Sequence, residues 1–172
     1  MPRWIVVMGP SGSGKSFVGA RLAAALALPF IDADDLHPAA NVEKMAAGVP
    51  LTDEDRMPWL DVVAGALARA DDGLVVACSA LARRYRRRIL DGCPRVVFAE
   101  LAVDEDELER RMRARSHFMP ASLLESQMRT WEPLAREEPG VSVANVDDVD
   151  RIVGRLVAAL DAWRPRPDQS SR

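Results

Sequence analysis

Gly9-Pro10-Ser11-Gly12-Ser13-Gly14-Lys15-Ser16 meets the pattern G-x-x-x-x-G-K-[ST] at every fixed position. Each residue type has a physical reason to be there. A loop that wraps around phosphate turns consecutive backbone N–H groups inward, and glycines permit that path because they lack Cβ and tolerate positive φ. A helix starting at Lys15 aims its positive end at the phosphates. Lys15 would reach the β/γ-phosphates and the Ser16 hydroxyl would bind Mg2+. Context separates this loop from a Gly/Ser turn that binds nothing: it follows the apolar run Trp4–Met8 and precedes a helical pattern. The motif implies a nucleoside triphosphate but not a reaction, since GTPases, ATPases and small-molecule kinases share it.

Two carboxylates are the next chemistry-bearing residues. A short apolar piece, Phe30-Ile31, ends in Asp32-Ala33-Asp34. Alternation along a strand would put Asp32 and Asp34 on one side, at the carboxyl end of a parallel sheet, where ligands bind in such folds. One carboxylate, Asp32, would order Mg2+ through its water. The other, Asp34, would accept a hydrogen bond from the hydroxyl that attacks the γ-phosphate. The alternative is a capping or turn pair.

The elements that must position these groups alternate between strand and helix, which predicts a parallel sheet covered on both faces. Strands are predicted at Trp4–Met8, from Phe30 to an end at Asp32-Ala33-Asp34, and at Leu74–Cys78, Arg95–Leu101 and Val141–Val146. Helices are predicted at Lys15–Leu28, near Val42–Ala47, from Thr52 as N-cap to Ala70, and at Ala80–Leu90, Asp104–Ala114, Ala121–Thr130 and Val149–Trp163. The last predicted helix but one, Ala121–Thr130, lies between Pro120 and Pro133 in a stretch that reads as an excursion from the sheet. The chain of 172 residues fits one domain, since domains hold about 100–200 residues. The expected organisation is one domain over 1–164, with a helical substrate-binding segment at about 35–71, a lid at about 115–135 and a polar tail beyond 164. The fold class is an α/β three-layer sandwich with a five-stranded parallel sheet.

Composition narrows the partners. A net charge of -3 argues against a dedicated nucleic-acid binder, which carries a basic excess. The two cysteines, Cys78 and Cys93, lack metal-type spacing, and Cys78 reads as a buried thiol, so a reducing cytoplasm is the expected compartment. The run at Trp4–Met8 is too short for a signal-peptide core or a membrane span. Lysine is rare, with Lys15 and Lys44 set against 21 arginines. There is no N-K-x-D motif, and the third strand ends in Cys78-Ser79-Ala80 rather than in the Asp-x-x-Gly pattern of GTPases. Both features favour a compact kinase of the nucleoside-monophosphate-kinase type.

Further motifs are more specific. Asp34-Asp35-Leu36-His37-Pro38, Asn41-Val42-Glu43-Lys44-Met45, Gly48-Val49-Pro50-Leu51 and Asp53-Glu54-Asp55-Arg56-Met57-Pro58-Trp59-Leu60 follow one another. Later come Cys78-Ser79-Ala80-Leu81 with Tyr85-Arg86, then His117-Phe118-Met119-Pro120, Leu123-Leu124 and Ser126-Gln127. Over roughly residues 5–160 the chain resembles the gluconokinase family. The resemblance implies an adenylate-kinase-like P-loop fold and an ATP- and Mg2+-dependent transfer of phosphate to the 6-hydroxyl of D-gluconate. It also implies a homodimer that feeds 6-phosphogluconate into the pentose phosphate pathway.

A pocket for gluconate needs carboxylates for its hydroxyls and cations for its acid, and Asp34–Arg56 supplies both. Arg56 would fork onto the substrate carboxylate, unless it pairs with Asp53 or Asp55. His37 and Lys44 would bond hydroxyls or the acid, unless one is a helix-start residue and the other a solvated face. Trp59 fits the core better than a substrate platform. Tyr85, Arg86 and His117 enter the substrate pocket by the resemblance, so that gluconate lies between Asp34, Arg56 and Arg86. Arg111 and Arg115 lie one turn apart and would clamp ATP phosphates and offset transition-state charge, or else pair with Glu107 and Glu109. The run Arg83–Arg88 points all around a helix axis and is expected to be mostly solvated. The rivals are a same-fold kinase for shikimate or a nucleoside monophosphate, and a non-catalytic nucleotide-binding protein.

Overall fold

The computed structural model describes residues 1–114 and 121–165. Five strands form one sheet: β1 (Trp4–Met8), β2 (Phe30–Asp32), β3 (Leu74–Cys78), β4 (Val97–Ala102) and β5 (Gly140–Ala144). Every pairing is parallel, in the order β2-β3-β1-β4-β5. The helices are α1 (Lys15–Leu26), α2 (Ala39–Ala46), α3 (Asp53–Arg69), α4 (Arg83–Gly92), α5 (Glu105–Ala114), α6 (Ala121–Thr130) and α7 (Val149–Ala162). A 3-10 turn at Ala33–Leu36 joins β2 to α2.

The strands read as unbroken apolar runs because both faces of the sheet are covered. Ile5, Val7, Val75, Ala99 and Leu101 face α1 and α7, packing on Val18, Leu22, Ile152, Leu156 and Leu160. Val6, Met8, Val76, Cys78 and Phe98 face α3 and α4, packing on Leu60, Val63, Leu67, Tyr85 and Ile89. The predicted three-layer α/β sandwich is therefore present. After β1 the chain builds β2 and β3 on one side, then crosses to lay down β4 and β5 on the other. The connections thus diverge at the carboxyl end of β1, which opens a crevice there. No helix among the described residues is long and apolar enough to cross a membrane.

Local departures from the predicted elements have clear causes. Helix α1 stops at Leu26 because Ala27 turns into the left-handed region, its N–H reaching Ala23 and Ala24 carbonyls. Helix α4 starts at Arg83 rather than Ala80, because Ala80 sits at φ 42° and Ala82 is extended. The cap on α3 is as predicted: the Thr52 hydroxyl accepts from Asp55 N–H, and the Asp55 carboxylate accepts from Thr52 N–H.

The expected lid divides within the described residues. The stretch 131–138 is strapped to the body: Glu132 N–H donates to Leu81 O, Arg83 N–H to the Glu132 carboxylate, and Leu134 N–H to Glu100 Oε1. Trp131 and Leu134 also pack on the α3/α4 core. The lid's predicted end at about 135 therefore falls on residues that belong to the fixed body.

Candidate active site

The phosphate loop fills the turn between β1 and α1. Gly12 and Gly14 sit at φ 83° and 80°, a region that other residues enter only with strain. A Cβ on Gly9 would lie 2.7 Å from Ser13 Oγ, so the loop also needs a glycine there to close on itself. The start of α1 has no side-chain cap and no acidic residue in its first turn. Its free N–H groups and positive end are therefore left to an anion. Lys15, the first residue of α1, is buried. The Ser13 hydroxyl is buried and has no partner among the described residues. Phosphate oxygens are the acceptors that such a cradle lacks.

The two carboxylates reach the crevice by a different route from the one strand alternation predicts. β2 ends at Asp32, and Asp34 already lies in the 3-10 turn. The Asp32 carboxylate caps that turn, its Oδ1 accepting from Asp34 N–H at 3.0 Å. Capping is thus one job of Asp32, as the alternative reading held, and it fixes where Asp34 starts. Burial pushes the Cys78 thiol up to about 12, and the charges of Asp34, Lys15 and Asp32 all bear on it. That buried thiol ends β3, beside β1. The register sets Met8 beside Cys78 and Asp32 beside Ala77, so the loop after β1 and the turn after β2 leave the same end of the sheet.

The acceptor side is built from α2, α3 and α4. Trp59 is buried, donates from Nε1 to Ala33 O at 2.7 Å, and stacks on His37 with centroids 4.1 Å apart. It is a core residue that also serves as the platform for His37. The Asn41 amide nitrogen lies 3.2 Å from His37 Nδ1 and donates to Asp55 O at 3.0 Å. Because that nitrogen is a donor, the bond assigns Nδ1 as acceptor and leaves the proton of neutral His37 on Nε2. Burial holds the His37 pKa below its ordinary value against the pull of Asp34, and Arg56 adds to the lowering. His37 is thus neutral at pH 7, close to both groups.

Lys44 is bonded to both oxygens of Asp55, at 2.6 and 2.8 Å. With Thr52 it holds the Asp55 carboxyl down to about 2. The Lys44 ammonium ties α2 to the cap of α3. Arg84 takes Asp53, at 2.6 and 3.0 Å. Arg56 consequently has neither acid. Its Nη1 donates to Tyr85 OH at 2.9 Å, and it makes no ion pair among the described residues. Tyr85 is 2% exposed, and its hydroxyl donates to Asp53 Oδ1 at 2.5 Å. Tyr85 therefore acts through Arg56 rather than on a ligand directly.

Arg86 is the clearest correction. It is fully buried, with Nε and Nη2 on the two Glu138 oxygens at 2.7 Å each. Nη1 donates to the carbonyls of Ala80 and Glu132. Every nitrogen is engaged, so Arg86 clamps the 131–138 strap and cannot receive substrate. The other arginines of that run are exposed and paired with acids: Arg83 with Glu137, Arg84 with Asp53, Arg87 with Asp91 and Arg88 with Asp61.

Arg111 bonds Glu107 Oε1 at 2.5 Å, as its alternative reading had it, and donates from Nη2 to Asn145 O at 2.7 Å. Asn145 is buried, and its amide donates to Ser13 O at 2.5 Å. Arg111 thus stands two bonds from the phosphate loop. Beside it, Asp104, Asp106, Glu107, Arg110 and Val146 line a cavity of about 390 Å³. Arg115 and His117 lie outside the described residues. Sequence reasoning missed Asn145 and Gln127, both of which touch the loop. No spacing rule links an amide to a loop residue 116 or 132 positions away.

Comparison with known proteins decides the family. The AAA domain family matches residues 5–134. A gluconokinase of Gluconobacter oxydans (strain 621H) is 42% identical over 165 residues, 94% of this chain and 93% of its own. The chain belongs to the gluconokinase family. The thermosensitive gluconokinase of Escherichia coli (strain K12) is 40% identical over 92% of this chain and 88% of its own. Among solved structures, a gluconokinase from Sinorhizobium meliloti 1021 superposes with a TM-score of 0.86 at 44% identity, covering 93% of this chain and 92% of that one. The matched lengths span the acceptor side as well as the phosphate loop.

Proposed function

We propose that this chain is an ATP-dependent D-gluconate kinase that moves the γ-phosphate of ATP onto the 6-hydroxyl of gluconate, giving 6-phospho-D-gluconate and ADP. The observation that carries this reading is the strand register, which sets Met8 beside Cys78 and Asp32 beside Ala77, so that the phosphate loop, Asp32 and the turn bearing Asp34 share one end of the sheet. Family membership supports the acceptor.

In this reading the loop 9–16 wraps the phosphates with Gly9, Pro10, Ser11, Gly12, Ser13 and Gly14, and Lys15 neutralises charge on the β- and γ-phosphoryl groups. Asp34 accepts the hydrogen bond of the 6-hydroxyl and aligns it for in-line attack. Its worth is mostly positional, because a loose transition state asks little of a base. Arg56 takes the gluconate carboxylate in a two-pronged bond, oriented by Tyr85. His37 offers its Nε2–H to a hydroxyl.

The donor set fits Mg2+. Ser16 and Asp32 offer hard oxygens, and no group of three or more His, Cys, Asp or Glu able to hold a metal occurs among the described residues. A nucleotide-borne Mg2+ needs only one or two protein oxygens beside its waters and phosphates. When bound, the ion would neutralise phosphate charge. The 390 Å³ cavity beside Asn145 suits the nucleotide base. Arg111, from the end of α5, and Arg115, from a lid that begins near residue 115, would clamp the phosphates, and His117 would meet the substrate when the lid closes. A cytoplasmic homodimer working ahead of the pentose phosphate pathway completes the proposal.

The test is ADP release with Mg2+–ATP across gluconate, other aldonic acids, shikimate and nucleoside monophosphates, with Lys15→Ala as control. Release that depends on gluconate and vanishes in the control is expected. A preference for any other acceptor would remove the gluconate assignment and leave the phosphate loop standing.

A further inference from the structure

One side chain far along the sequence reaches the phosphate loop from a direction that the mechanism has not used. Gln127, on α6, accepts from Ser11 N–H through Oε1 at 2.8 Å. Ser11 is itself buried. We infer that Gln127 is a positioning residue for the phosphate loop: its carboxamide holds the lip of the loop at Ser11 and ties it to α6.

Three observations support the role. First, α6 is seated on the body. It ends at Thr130 and runs directly into the strap, where Glu132 N–H bonds Leu81 O and Leu134 N–H bonds Glu100. Gln127 lies about one helical turn before that fixed point, so its position is inherited from a rigid base. Second, the loop is gripped from the opposite side as well, where the Asn145 amide donates to Ser13 O. The two grips bracket Gly12, at φ 83°, the residue whose backbone has most freedom to wander. Third, the Ser13 hydroxyl, at the second grip, is buried without a partner among the described residues, which leaves it open to a phosphate oxygen. A loop held in its binding shape avoids the ordering cost at the moment of binding.

The inference deepens the proposed activity and rests on it for the identity of the nucleotide. The test is titration calorimetry of the full chain with Mg2+–ATP and Mg2+–ADP, without gluconate, alongside thermal unfolding. Gln127→Met keeps the length and removes the acceptor. Its ATP Kd is expected to rise about fivefold to tenfold, in line with the loss of one hydrogen bond, with an unchanged unfolding temperature and gluconate KM. Gln127→Glu keeps an acceptor for Ser11 N–H but sets a negative charge at the lip. It should weaken ATP more than ADP, because ATP carries the extra phosphate. A purely structural residue would lower the unfolding temperature and weaken both nucleotides alike, and that result would overturn the inference. So would a Gln127→Met protein that binds ATP as wild type does. A wild-type protein that binds no ATP would remove the proposed function and this inference together, which keeps the two failures distinguishable.

Discussion

Two corners of the molecule each turn on one arginine, and the chemistry of the two arginines is opposite. At the acceptor corner, Arg56 gives Nη1 to Tyr85 and has no ion pair among the described residues, because Lys44 and Arg84 have taken Asp55 and Asp53. At the strap, Arg86 is fully buried and has Glu138 on both Nε and Nη2, with backbone carbonyls on Nη1. The sequence points to both as substrate groups, Arg56 by the chemistry of a sugar acid and Arg86 by the family resemblance. The structure separates them by asking where the donors go. A guanidinium whose donors are all engaged holds the fold together, and one whose donors remain open is available to a ligand.

The sharpest way to break this comparison is to make the same change at both places. Arg86→Met leaves Glu138 buried without its cation, and removing one partner of a buried pair costs about 3–5 kcal/mol. Denaturant unfolding should register that loss, and it should appear as protein that unfolds early rather than as a raised gluconate KM. A fully stable Arg86→Met enzyme with a raised gluconate KM would return Arg86 to the substrate pocket. Arg56→Met should do the reverse. The partly exposed Arg56 side chain carries little of the fold, so stability should change by less than about 1 kcal/mol. The gluconate KM should rise at least about tenfold, the usual worth of a charge-assisted bond, while ATP binding is kept. An unchanged gluconate KM would exclude Arg56 as the carboxylate partner.

Much of the fold was legible because strand runs, turn residues and caps are local signals. Trp4–Met8, the loop at 9–16 and Thr52 are readable from neighbours alone. The phosphate side of the site was legible for the same reason, since its groups are consecutive backbone N–H donors and the residue after them. The acceptor side was only partly legible, because each role there depends on which acid a distant cation takes. Lys44 and Arg56 are equally plausible ligands in sequence, and only the pairing of Asp53 with Arg84 and Asp55 with Lys44 sorts them. Asp34 lies in a turn capped by Asp32 rather than on the strand, so strand alternation does not set its direction. Asn145 carries no local signal, and the Ser126-Gln127 pair gives no sign of what Gln127 touches, because the partner of each amide is loop backbone brought to it by the fold.

The central claim is that Asp34 holds the acceptor hydroxyl against a phosphate bound on the loop. Asp34→Asn keeps the shape and removes the charge that accepts the hydrogen bond. The measurement is kcat with saturating gluconate, set beside the Kd of Mg2+–ATP for the same protein. The account predicts a fall in kcat of about a hundredfold or more with ATP affinity held within about twofold, since the loop is untouched. A kcat within about threefold of wild type would contradict it.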